Sequence, residues 1–114
     1  MSTMPFEFGS IVLVPFPFTK LAALKQRPAV IVSSRIYSDA KPDIVIMPVT
    51  SQLRSVSSFG ELLIADWQQA NLLKPSIIKP VFATVEQRLV IRPLGILQAQ
   101  DQAALRAAIA AVLG

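Results

Sequence analysis

Two runs of consecutive apolar residues, Val30-Ile31-Val32 and Ile44-Val45-Ile46-Met47, constrain this chain more than any other feature in it. Neither alternates polar with apolar. A strand that is wet on one face alternates, whereas one that is apolar at every position is covered on both faces. Both runs are short and rich in β-branched residues, which favours strand over helix. Covering both faces of two such strands needs a sheet that bends back on itself and is packed by other elements.

The flanking sequence supplies the rest of that sheet. The two runs sit inside expected strands over 27–33 and 43–50, joined by a turn over 34–42 that contains Ser, Asp, Lys and Pro. An earlier strand over 10–14 follows Gly9 and is stopped by Pro15 and Pro17. The stretch 19–26 is a polar, alanine-rich connection. Residues 51–59 hold four serines, Gln52 and Arg54 and read as a surface loop. A short strand is expected over 60–64, then a single helical turn over 67–70 with Asp66 as its N-cap. Strands over 76–83 and 90–97 are weaker: Pro80 marks the first as an edge or a bulge, and Pro93 and Gly95 interrupt the second. From 100 to 113 the composition turns to good helix formers. Leu105, Ile109 and Val112 fall on one stripe with Ala108, and this alanine-rich stripe is expected to be core. Asp101 in the first turn suits the positive end of the helix dipole. The fold class is mainly β (α+β), a small barrel of bent antiparallel strands with a C-terminal helix, in one domain over 1–114.

Composition narrows the function. The chain is 53% hydrophobic and 16% charged, against about 45–50% and about 25% for typical domains. A domain this small cannot bury that much apolar surface alone, so part of it is expected in a homodimer interface. A membrane span is not expected: the apolar stretch 11–18 contains two prolines, the C-terminal stretch is broken by Arg106, and a spanning helix needs about 20 apolar residues. The absence of cysteine fits a cytoplasmic protein. Residues 1–8 carry no basic residue and do not read as a signal peptide. Histidine is absent too, which excludes histidine acid–base pairs and most zinc sites. No metal and no cofactor is expected. The net charge of +4 leans towards anionic partners.

One constellation carries chemistry. Opposed residues of an antiparallel pair have a constant sum of numbers. If Arg27 opposes Thr50, the centre of the hairpin falls between Ser38 and Asp39, inside the expected turn. One end of the sheet then gathers Lys20, Lys25, Gln26 and Arg27 with Thr50, Ser51, Gln52 and Arg54. Guanidinium and ammonium groups beside hydroxyls and amides suit a phosphodiester. The bland alternative is solvated loop lysines and a strand-capping Thr50-Ser51 pair. Trp67 reads first as a core or interface anchor, and Phe16 and Phe18 as packing residues at a barrel rim or dimer seam, with base stacking as the second reading of each.

The run from Gly9 through Pro15-Phe16-Pro17-Phe18-Thr19, the segment Gln26-Arg27-Pro28-Ala29-Val30-Ile31-Val32-Ser33, the strand end Pro48-Val49-Thr50-Ser51-Gln52, Leu73-Lys74-Pro75-Ser76 and the pair Leu94-Gly95 together resemble the MazF/PemK family of toxins. The resemblance implies an SH3-like barrel, a dimer and a cognate antitoxin. It also implies metal-independent cleavage of single-stranded RNA, with the 2′-hydroxyl attacking the adjacent phosphate. By the same resemblance Arg27 and Thr50 are the catalytic pair; the polar groups gathered beside them, Lys20, Lys25, Gln26, Ser51, Gln52 and Arg54, are expected to bind RNA. Many members carry a glutamate and a histidine before the Arg-Pro pair, and some an acidic residue late in the barrel. Here the loop has neither, and Ser76 stands at the later position, so the general base is unassigned. The alternatives are a protein-binding toxin of the same fold, of the kind that poisons DNA gyrase, and a degenerate module that only binds an antitoxin.

Overall fold

Three strands dominate because their residues pack on both faces. In the computed structural model, which describes residues 6–15, 25–53 and 58–114, they are β1 (Ser10–Pro15), β2 (Gln26–Ile31) and β3 (Asp43–Thr50). They lie antiparallel in the order β1-β2-β3. Alternate residues feed two separate cores. One face gives Ile11, Val30, Met47 and Val49 to a cluster that Ile64, Ile78, Leu97 and Leu105 complete. The other gives Val12, Val14, Ala29, Ile31, Ile44 and Ile46, covered by Phe6, Ala83, Val85 and Val90. The continuous apolar runs are thus explained by double coverage.

Residues 34–42 were expected to turn, and instead form a short helix, α1 (Arg35–Ala40). The cause is local. The Ser34 hydroxyl accepts the backbone N–H of Tyr37 at 3.1 Å, an N-cap, and no Gly or Pro intervenes before Pro42. The C-terminal end is held from a distance. The amide nitrogen of Gln87 donates towards the carbonyls of Ser38, Lys41 and Asp43 at 2.7, 2.9 and 3.1 Å, satisfying groups that a helix end leaves open.

The sheet continues through β4 (Leu62–Leu63), β5 (Ile77–Ile78), β6 (Ala83–Glu86) and β7 (Arg92–Ile96), in the order β4-β5-β3-β2-β1-β7 with β6 also on β3. The expected strand over 76–83 is therefore two strands. Pro80 has no N–H to extend the ladder, and Val81 N–H turns back to the carbonyl of Lys79 at 2.8 Å. The first half of β3 then pairs with β6 and its end with β5, which bends the sheet into the SH3-like barrel. On β7 the register slips opposite Ile11 and Val12. Gly95 is obligatory there because a Cβ would collide with the carbonyl oxygen of Ala70.

Residues 65–71 form a turn in which Ala70 N–H reaches the carbonyl of Asp66 at 3.0 Å. Asp66 does not cap it. Its carboxylate accepts Gln100 Nε2 at 2.9 Å, and Asn71, at φ 67°, ends the turn with its side chain donating to the carbonyl of Leu94. Trp67 packs partly buried against the larger core, as expected of an anchor.

The last helix is α2 (Ala99–Leu113). Leu105 is fully buried and Ile109 packs beside it. Of the rest of the expected stripe Ala108 is half-buried and Val112 is exposed, while Ala103, Ala107, Ala110 and Ala111, off the stripe, are exposed. These alanines serve helix propensity rather than packing. Asp101 does more than meet the dipole. It is buried and accepts the backbone N–H groups of Ala65 and Asp66 at 2.9 and 2.8 Å, fastening the turn to the helix. Among the described residues no helix is long and apolar enough to cross a membrane.

Candidate functional site

The β2–β3 ladder pairs Ile31 with Ile46, Val30 with Met47 and Ala29 with Pro48. This is the register in which Arg27 opposes Thr50. The recorded pairing stops at Ala29 and Pro48, and two prolines explain why: neither Pro28 nor Pro48 has an N–H to donate. Among the described residues β2 is held beyond them by β1, through Val14 opposite Arg27 and Pro15 opposite Gln26. The end of β3 is held by β5, through Thr50 opposite Ile77. The sequence therefore opens this end of the sheet between Arg27 and Thr50.

The polar groups at the opening have few internal commitments. Arg27 is exposed and, among the described residues, its side chain makes one hydrogen bond, from Nη1 to the neighbouring carbonyl of Gln26 at 3.4 Å. Among the described residues it forms no ion pair. The Thr50 hydroxyl accepts the backbone N–H of Gln52 at 3.1 Å. That contact uses a lone pair and leaves the O–H proton free to donate. Lys25, Gln26, Ser51 and Gln52 are all exposed around the pair. Lys20 and Arg54 lie outside the described residues, as do Phe16 and Phe18.

Sequence reasoning passed over Lys74. The chain enters β5 beside the Thr50 end, and Lys74 is exposed three residues before Ile77. The signal was the motif Leu73-Lys74-Pro75-Ser76, which carries a cation but acquires its position only once β5 is known to pair with the end of β3. Ser76 is buried, and its hydroxyl donates to the carbonyl of Lys74 at 2.9 Å, so it shapes this approach.

The acids lie elsewhere. Glu61 accepts Ser58 N–H at 3.1 Å and pairs with Lys79 at 3.4 Å. The Ser58 hydrogen bonds, and after them Lys79, hold its carboxyl below the usual range. Among the described residues, no group of three or more acidic or metal-ligating side chains is placed to hold a metal ion. Among the described residues the site offers one guanidinium, neutral donors and exposed ammonium groups at a strand end, groups whose chemistry suits a phosphodiester.

The chain belongs to the PemK-like, MazF-like toxins of type II toxin–antitoxin systems, whose family model matches residues 7–113. Among curated proteins none matches the sequence. Several solved structures share the fold. The chain is similar to an endoribonuclease solved in complex with its cognate antitoxin from a mycobacterial species, at 16% identity and a TM-score of 0.75, over 95% of this chain and 94% of that one. It is similar to the Mycobacterium tuberculosis toxin MazF-mt6, at 20% identity and a TM-score of 0.71, over 90% and 93%. It is also similar to MazE-MazF from Deinococcus radiodurans, at 18% identity and a TM-score of 0.75, over 99% and 98%.

Proposed function

We propose that this chain is a cytoplasmic toxin that cuts single-stranded RNA, an mRNA interferase that needs no metal or cofactor. The observation that supports the reading is the β2–β3 register, which sets Arg27 and Thr50 at opposed positions at one end of the sheet, with no ion pair to Arg27 among the described residues. In the proposed reaction the ribose 2′-oxygen forms a bond to the adjacent phosphorus and the bond to the 5′-oxygen of the next nucleotide breaks. A proton leaves the attacking hydroxyl and another reaches the leaving oxygen, which leaves a cyclic phosphate. Negative charge grows on the non-bridging oxygens as the phosphorane forms. Arg27 stabilises that charge with a fixed fork of donors, and the Thr50 O–H adds a neutral one. Lys25, Gln26, Ser51, Gln52 and Lys74 hold the flanking backbone, with Lys20 and Arg54 assigned to the same task from sequence.

The toxin acts as a homodimer and is blocked by a cognate antitoxin. The exposed side chains of Phe59, Leu73 and Leu113 are apolar surface that such partners would cover, and similar folds have been solved with an antitoxin bound. The test is to incubate the purified protein with a long single-stranded RNA, with and without EDTA. Cutting that is equal in both is expected. Cutting that requires added magnesium would contradict the mechanism, and no cutting at all would favour a toxin that acts by binding protein.

A further inference from the structure

The row that contains Thr50 continues across the sheet. Thr50 pairs with Ile77 on β5, and Ile77 pairs with Leu63 on β4. Directly paired residues put their side chains on one face. That face turns away from the larger core, which takes the intervening residues Val49 and Ile78 and packs Leu62. Ile77 is half-buried and Leu63 is 60% exposed, at the edge of the sheet. Strands lie about 4.8 Å apart, so an aliphatic surface begins one strand from the Thr50 hydroxyl and ends two strands from it.

We infer that Ile77 and Leu63 form a shelf for the nucleobase attached next to the phosphate held by Arg27 and Thr50. This deepens the RNA-cleaving reading and rests on it. Along the row a cation and a hydroxyl, placed for one phosphate, give way to two aliphatic side chains, as a phosphate gives way to a base within a nucleotide. The adjacent row explains why a base is matched here and not a second phosphate. Lys79, the cation beside the shelf, is already neutralised by Glu61 at 3.4 Å, and the Glu61 side chain is only 9% exposed. Next to the shelf that charge is spent, and the shelf itself is uncharged. An uncharged, flat group with apolar faces fits it. Such contact is tolerant of base identity, so the shelf fixes where the strand lies without reading its sequence. A leucine this exposed on an edge strand contributes little to folding.

The experiment uses fluorescent single-stranded RNA carrying a 2′-deoxyribose at the mapped cut site, so that binding is read without cleavage. Intact RNA is compared with RNAs made abasic at each position flanking the cut, against wild type, Leu63→Ala and Leu63→Phe, with folding checked by circular dichroism. Loss of one aliphatic contact of this size corresponds to about tenfold in affinity. One abasic position is expected to weaken wild-type binding by about that factor. Leu63→Ala is expected to weaken binding of intact RNA similarly and to erase the abasic penalty, while Leu63→Phe keeps both. An undiminished penalty in Leu63→Ala, or unchanged binding of intact RNA, overturns the shelf. So does a loss of protein-partner binding with RNA binding intact. Parallel cleavage of all-ribose RNA by wild type and Arg27→Ala judges the underlying reading separately. Cleavage that depends on Arg27 beside an undiminished penalty sinks the shelf alone, and a wild type that neither binds nor cuts sinks both.

Discussion

The two ends of the β2–β3 pair are built from the same strands and solve opposite problems. At the α1 end the polar groups are paired internally. Ser33 is buried and its hydroxyl accepts Val45 N–H at 3.0 Å, Ser34 caps the helix, and Gln87 reaches three carbonyls. At the Arg27 end the ladder stops at two prolines, and Lys25, Gln26, Arg27, Ser51 and Gln52 face solvent. An end whose polar groups are satisfied internally contributes stability and has little left to offer a ligand. An end whose donors face solvent adds little to folding and keeps them available to a ligand.

Substitutions at the two ends should therefore separate rate from stability. Arg27→Ala carries the largest expected effect. Loss of one preorganised donor costs about 10²–10³ in rate, and thermal unfolding should barely move because the side chain is exposed. Arg27→Lys should recover little, since a point charge does not reproduce the bidentate fork. Single-turnover cleavage beside a melting curve reads both quantities. Gln87→Leu is the reciprocal change. It leaves the carbonyls at the end of α1 without their donor, at a cost of about 1–3 kcal/mol. The urea midpoint should fall while the rate per folded molecule stays at the wild-type value. A lower rate in fully folded Gln87→Leu would mean that the two ends are coupled. Lys25→Ala is the mildest. It should weaken RNA binding and reduce the slope of log affinity against log salt by about 0.7, with little change in the rate at saturating RNA.

The comparison also shows what a sequence can and cannot carry. The β3 strand runs over the expected residues and its register with β2 is the expected one, because two apolar runs around one connection leave little freedom of pairing. The opposed positions of Arg27 and Thr50 were legible for the same reason. Lys74 was not, since its place depends on β5 pairing with the end of β3. The helix α1 was hidden by a composition that suits a turn equally well, and the Ser34 cap decides between them. Gln87 and Asp101 act on backbone groups 35 or more residues away, and nothing in their local sequence marks them. Val112 looked like core because periodicity reports spacing, not how far along a helix the packing extends.

The account's central claim is that Arg27 and Thr50 act together on one phosphate. A double-mutant cycle tests it most directly, using single-turnover cleavage of one RNA by wild type, Arg27→Ala, Thr50→Ala and the double variant, each verified as folded. Groups that stabilise the same transition-state charge are non-additive, so the double variant should be little slower than Arg27→Ala alone. Rate losses that simply multiply would place the two residues in separate roles. A folded Arg27→Ala that cuts as fast as wild type would contradict the assignment of the site.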